Sequence, residues 1–227
     1  MKPPVQLPLA VKLPEPLALE HFYAEGNEEL LDSLSRFVGD SEHLLFIWGE
    51  SGAGRSYLLQ AMCREYNAFY FSFRDTLNCD PSLLDGLEQY PLLCFDDVHC
   101  LQRKPAWQQA MFNLFNRTRA LGRQLLLAAN VSPAELVLDM SDLSSRFSWG
   151  LVFRLHALDD EQKIRALIAR SERKGLNLGV EVARYIVTHF SRDVGGLFQL
   201  LDELDLASLT QQRRITIPLI KEIIGVG

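Results

Sequence analysis

No apolar run in this chain approaches the ~18–20 residues that a membrane helix needs. The N-terminus also lacks a charged-then-apolar leader, because Pro3, Pro4, Pro8, Pro14 and Pro16 interrupt it. These absences exclude a helical membrane protein and a standard secretory precursor, so the sequence reads as cytoplasmic. Cysteine is scarce. Cys63, Cys79, Cys94 and Cys100 show no CxxC spacing, and His99 beside Cys100 has no second Cys/His pair to complete a metal site. Reduced structural thiols are the expectation. His21, His43, His156 and His189 are scattered and suggest no catalytic triad. An excess of positive charge is missing too. Lys and Arg total 23 against 29 Asp and Glu, a net of −6, which argues against direct binding along a phosphate backbone. No internal repeat is visible.

The 227 residues are 48% hydrophobic and 23% charged, ordinary globular values, which excludes a disordered chain. Charge is uneven: residues 1–160 carry a net of −8 and residues 161–227 a net of +2, which suggests two regions. Residues 1–20 are Pro-rich and read as an extended tail. From Asn27, a plausible N-cap, Leu30, Leu31, Leu34, Phe37 and Val38 recur at helical spacing up to Gly39. Apolar strands are then expected at 43–48, 68–73, 91–95, 124–129 and 151–155. Helices are expected between them, at 56–66, from Pro81 to about Gln89, and through Trp107, Ala110, Met111, Leu114 and Phe115. Wholly apolar strands separated by amphipathic helices indicate a parallel sheet covered on both faces. After a linker near 156–159 only helices are expected, at 159–174, 179–190, 193–210 and the end of 215–224. The expected division is a tail over 1–20, an α/β domain over 21–156 and a helical domain over 157–227.

The motif Gly49-Glu50-Ser51-Gly52-Ala53-Gly54-Arg55-Ser56 lies between a strand and a helix. That is the context of a phosphate loop, GxxxxGK[ST], with Arg in the Lys position. Glycines let successive N–H groups turn toward a β-phosphate, the helix N-terminus adds positive dipole, and Ser56 would ligate Mg²⁺. Arg55 keeps a charge and a fork of donors but is longer and planar, so diphosphate binding is expected to survive better than hydrolysis. The strand Leu92–Phe95 ends in Asp96 and Asp97. Asp96 would hold Mg²⁺ through water and Asp97 would orient an attacking water. A third strand ends at Asn130, which can reach a γ-phosphate or that water. In the stretch Asp142–Gly150, Arg146 sits in a turn between apolar anchors, where it suits an arginine finger offered to a neighbouring subunit's nucleotide.

In this order, GESGAGRS, LLCFDD, LLLAAN, DLSSRFSWG and a helical C-terminal region resemble an AAA+ ATPase of the DnaA branch over roughly residues 17–227. The resemblance implies an AAA+ base with a small helical lid. SRFSWGL resembles the branch's arginine-finger box. LALEHFYAEGNEELL resembles its N-terminal box, which packs on base and ribose and implies nucleotide contacts from Phe22 and Tyr23; Tyr57, beside the phosphate loop, is a further expected nucleotide contact. The resemblance also implies ADP or ATP with Mg²⁺ as cofactor. A chain that stops at the lid would lack the initiator's helix-turn-helix. The tail Gln6-Leu7-Pro8-Leu9 is similar to the motif by which such proteins hold the DNA polymerase III sliding clamp, an extended peptide placing Leu7 and Leu9 in apolar pockets. Together these features imply a DnaA-homologous negative regulator of replication initiation. Such a protein sits on the DNA-loaded clamp, reaches DNA only through it, and presents Arg146 to ATP-bound DnaA. A homodimer that hides Arg146 would be an inactive store. The rival reading is an autonomous AAA+ ATPase of the initiator or helicase-loader type. One position departs from the branch pattern: Gly195 stands where the lid's sensor Arg aligns, with Arg192 nearby.

Overall fold

In the computed structural model, residues 17–190 and 193–224 are described. Among them, α1 (Glu28–Phe37) leads into β1 (Leu44–Trp48), then α2 (Arg55–Tyr66) and β2 (Phe69–Ser72). One helical turn, α3 (Phe73–Thr76), precedes β3 (Leu92–Asp96), α4 (Pro105–Ala120), β4 (Gln124–Ala129), α5 (Ser141–Phe147) and β5 (Leu151–Arg154). The five strands are all parallel, in the order β2-β3-β4-β1-β5. Side chains alternate across this sheet with the two-residue period of a strand. Leu44, Phe46, Leu93, Phe95, Leu125 and Leu127 enter the core beneath α4 and α5. Leu45, Ile47, Leu92, Cys94, Leu126 and Ala128 enter the opposite core beneath α1 and α2. Both faces are covered, and that is why these strands read as unbroken apolar runs.

The strand order decides where function can sit. β1 lies beside β4, and β4 beside β3. Parallel strands put their C-terminal ends on one edge, so Gly49, Asn130 and Asp96 become neighbours although they are far apart in sequence.

After β5 the chain is helical: α6 (Asp160–Arg173), α7 (Val180–His189), α8 (Val194–Gln211) and α9 (Ile217–Ile224). These helices share their own core of Ile164, Leu167, Ile186, Leu197, Leu201 and Leu204. Asp159 and Gln162 form a reciprocal capping box that fixes the start of α6.

Five expectations change. The tail's last described residues are not all extended, since Leu19–His21 form a 3₁₀ turn. The strand expected over 68–73 ends at Ser72, whose hydroxyl accepts the Asp75 N–H and starts α3. The helix expected from Pro81 to Gln89 is two 3₁₀ pieces, Pro81–Leu84 and Leu87–Gln89, parted by Gly86 at φ +79°. β5 is an edge strand, not a buried one, with Val152 42% exposed, because no further strand pairs beside it among the described residues. Arg146 lies in the last turn of helix α5 and not in an irregular turn.

Asn27 precedes α1 as expected but makes no side-chain cap. Its amide reaches the interdomain connection instead, donating to the His156 carbonyl at 3.0 Å and accepting the His156 N–H at 2.8 Å.

Gly150 has no room for a side chain: a Cβ there would lie 2.0 Å from the Leu44 carbonyl oxygen at the start of β1. Backbone in a central strand cannot move aside. Gly150→Ala is therefore expected to cost about 1–3 kcal/mol, the usual range for forced overpacking, read as a lower urea midpoint with unchanged slope.

Candidate nucleotide site and arginine finger

The loop after β1 is shaped by two left-handed glycines. Gly52 (φ +80°) and Gly54 (φ +106°) adopt backbone that other residues resist, and both are closely approached. A Cβ on Gly54 would come within 2.8 Å of the Phe22 ring, and one on Gly52 within 2.5 Å of Asp193 Cβ. The loop is thus roofed by the N-terminal segment on one side and by the start of α8 on the other. Ala53 is buried, whereas Ser51 and Ser56 are exposed. α2 begins at Arg55, so the N–H groups of its first turn face the loop without helical partners, a geometry that accepts an anion.

Arg55 is only 7% exposed. Its Nη2 lies 3.9 Å from Asp97 Oδ1, and its Nη1 is buried without a hydrogen-bond partner. Burial pulls its pKa down, while Asp96 and Asp97 oppose that shift. An orphaned guanidinium nitrogen beside a glycine cradle fits a phosphate oxygen, the acceptor the site lacks.

Asp96 is buried at the end of β3. Its Oδ2 accepts the Tyr70 hydroxyl at 2.9 Å and its Oδ1 accepts the Asp97 N–H at 2.8 Å. Asp97 is left-handed (φ +54°) and surrounded by basic side chains: Arg74 Nη2 donates to its Oδ1 at 3.0 Å, with Arg55 and the His99 ring each 3.9 Å away. Burial first, and then Asp96, push the Asp97 carboxyl above its usual range, while Arg74, His99 and Arg55 pull it down. Burial chiefly lowers the His99 pKa, and its Nδ1 accepts the Asn130 N–H at 3.3 Å. Arg74 was missed by sequence reasoning. It comes from α3, a turn that the run AFYFSF does not announce, and no spacing relates it to Asp97.

A small, mainly apolar cavity opens between loop and lid. Phe22, Tyr23 and Tyr57 line it with His156, Val194, Gly195 and Phe198. The Phe22 and Tyr57 rings are 5.8 Å apart and tilted by 47°. Two polar handles point elsewhere. Tyr57 Oη donates to the Ala18 carbonyl at 3.1 Å. Tyr23 Oη donates to Glu25 at 2.7 Å, and Glu25 pairs with Arg165 of α6 at 2.7 Å. Gly195 brings no cation to the lid wall, and Arg192 lies outside the described residues.

Arg146 does not belong to this cavity. It lies on α5, above Phe112 and Phe115 of α4 and beside Trp149. Trp149 in turn lines a crevice with Leu44 and Leu125, at the opposite ends of the strands from the phosphate loop. Gln6, Leu7, Pro8 and Leu9 lie outside the described residues. All four cysteines are free, and no cluster of three metal-ligating side chains occurs among the described residues. No helix among them is long and apolar enough to cross a membrane.

Two outcomes are expected. Arg55→Ala should weaken adenine-nucleotide binding by roughly 10- to 100-fold, the worth of a charge-assisted hydrogen bond, measured by titration calorimetry. Arg165, chiefly through its hydrogen bonds, holds the Glu25 carboxyl at about 2 against 4.5. A carboxyl depressed on folding contributes stability that is complete above its unfolded pKa and is lost as pH falls through the folded one. Unfolding midpoints of Glu25→Gln should therefore vary less than those of the parent chain between pH 4.5 and 2.

Comparison with known proteins agrees with this architecture. Residues 160–224 match the family model described as Hda, lid domain, and residues 78–154 match the bacterial DnaA ATPase domain. An uncharacterized protein of Haemophilus influenzae is 39% identical over 228 residues, covering 97% of this chain and 99% of its own. Domain III of Thermotoga maritima DnaA superposes with a TM-score of 0.74 at 21% identity, over 92% of this chain and 95% of that one. AMPPCP-bound DnaA from Aquifex aeolicus gives 0.70 at 26% identity, over 83% of this chain and 65% of that one. The RuvB Holliday junction branch migration motor of T. maritima shares the fold, with a TM-score of 0.66 at 16% identity over 93% and 72% of the two chains. A five-stranded parallel sheet bearing a phosphate loop, followed by a lid of this type, makes the chain a member of the Hda-like, DnaA-homologous AAA+ proteins.

Proposed function

We propose that this chain is a nucleotide-holding negative regulator of replication initiation that activates ATP hydrolysis by DnaA and has little turnover of its own. The observation that carries the reading is the separation of two arginines. Arg55 sits inside the chain's own phosphate loop, whereas Arg146 sits at the far end of the sheet, where only another molecule's nucleotide can meet it.

In its own site, Gly49, Ser51, Gly52, Ala53 and Gly54 wrap a diphosphate, ADP by this reading, and Arg55 donates its orphaned nitrogen to it. Phe22, Tyr23 and Tyr57 pack on the nucleoside. Ser56 is exposed in the first turn of α2 and Asp96 is held at the end of β3 by Tyr70, a donor set suited to Mg²⁺ held partly through water. Bound Mg²⁺–nucleotide would supply the charge that draws these groups together. Asp97 is engaged by Arg74, so its carboxylate is poorly placed to orient a water, and Gly195 brings no phosphate-reading cation to the described part of the lid wall. Both features favour holding a nucleotide over turning it over. Asn130 remains at the strand end, close to where a terminal phosphate would lie.

In the partner, Arg146 would meet the charge that develops on the γ-phosphate of DnaA-bound ATP, a contribution worth roughly 10³–10⁵-fold in such systems. Gln6–Leu9 would place the chain on the DNA-loaded sliding clamp, so that DNA is reached indirectly, in keeping with the net acidic charge. A second copy covering Arg146 would silence it.

The complete set Ser56, Asp96 and Asn130 favours one second reading, an autonomous ATPase of the initiator or helicase-loader type. One assay separates the two: ATP hydrolysis measured with the chain alone, with DnaA, and with DnaA plus DNA-loaded clamp. The proposal expects hydrolysis only with DnaA, rising with the clamp, lost in Arg146→Ala while clamp binding persists, and reduced in Leu7→Ala. Fast turnover by the chain alone would instead establish the second reading.

A further inference from the structure

Arg146 is seated over aromatic rings. Its guanidinium carbon lies 4.1 Å from the Phe112 ring centroid, and 5.5 Å from those of both Phe115 and Trp149. Among the described residues it makes no ion pair and no side-chain hydrogen bond. The two ways of fixing a guanidinium differ in what they leave behind. A carboxylate pairs with the edge, consuming donors and cancelling charge. Aromatic rings attract the cation through their π-faces and leave all five N–H groups, and the full charge, available at the edge. A residue that must later meet a phosphate keeps its donors only in the second arrangement.

Trp149 is the outer wall of this arrangement. It is 54% exposed, an unusual position for so large an apolar ring. It meets Phe115 edge-on, with centroids 6.2 Å apart and planes at 74°, and carries a second guanidinium, that of Arg119, at 4.9 Å. Its backbone N–H donates to the Arg146 carbonyl at 3.1 Å, so one turn of chain sets both the ring and the arginine. The turn is anchored at Gly150, pressed against Leu44 with no space for a side chain.

We propose that Trp149 is a positioning residue: its ring closes the aromatic seat on which Arg146 lies and presents the guanidinium edge outward for a phosphate in trans. This rests on the reading of Arg146 as the arginine finger. Without Trp149 the cation still stacks on Phe112 but is free on its outer side. Misplacement of a catalytic group by about 1 Å costs on the order of 100-fold.

The test uses the whole chain with DnaA and DNA-loaded clamp. Truncating an exposed ring at the surface leaves the buried cores intact. Trp149→Ala is expected to lower the rate of DnaA-bound ATP hydrolysis at saturating chain by roughly 10- to 100-fold, with the half-saturating concentration unchanged, and Trp149→Phe to restore most of the rate. In the isolated chain, the Nε–H proton of Arg146 should be displaced upfield by ring current and should move toward its solvent value in Trp149→Ala. A saturating rate in Trp149→Ala equal to that of the parent chain, or an Arg146 Nε–H resonance that does not move, overturns the proposal. If Arg146→Ala itself leaves stimulation at the parent level, the finger reading is what fails.

Discussion

The adjacency of β1, β4 and β3 is the constraint from which the site follows. Parallel pairing needs crossover helices, and those helices bury both sheet faces, so the strands can carry almost nothing but apolar side chains. Polar chemistry is therefore confined to the strand ends. The order β3-β4-β1 sets three such ends side by side, so a loop with free N–H groups, a buried acid pair and Asn130 converge without any one of them having to reach far. The lid adds a roof through the packing of Asp193 on Gly52, and the N-terminal segment adds a wall through Phe22 on Gly54.

Three arginines near this framework are held in three ways, and each way leaves different chemistry. Arg55 is desolvated, with one nitrogen unsatisfied, so it is poised for an acceptor. Arg74, 59% exposed, spends its donor on Asp97, so that carboxylate is already engaged. Arg146 is stacked and keeps both donors and charge. Side-chain type alone does not separate these roles. Burial and the nature of the neighbour do.

Much of the fold was legible in the sequence, because its signals are local. An apolar run, a glycine-rich turn and an amphipathic stretch each announce themselves within a few residues, and QLLLAA became β4 without a residue's error at either end. The errors fell where local signals compete. Pro81 reads as a helix start, yet Gly86 in left-handed backbone leaves only separate 3₁₀ turns. Asn27 looks like a cap, yet the chain brings His156 within reach, and a peptide group offering both a donor and an acceptor satisfies the amide more fully than one N–H. Within the site, residues of the contiguous motifs were readable. Arg74 on Asp97, Glu25 on Arg165 and the rings around Arg146 were not, because each pairing is made by tertiary packing between segments that share no pattern.

The bond pair between Asn27 and His156 has a mechanical side. Residues 17–26 enter the fold at Asn27, and the connection from β5 to α6 leaves it at His156. Two hydrogen bonds splice these points across 129 positions of sequence, and Glu25 adds a second splice to Arg165 on α6. The same short segment is also tied to the sheet domain, through the Ala18–Tyr57 hydrogen bonds and the Phe22 ring against Gly54. A pull on the N-terminal segment therefore reaches both the sheet domain and the lid, because one short stretch is bonded to each.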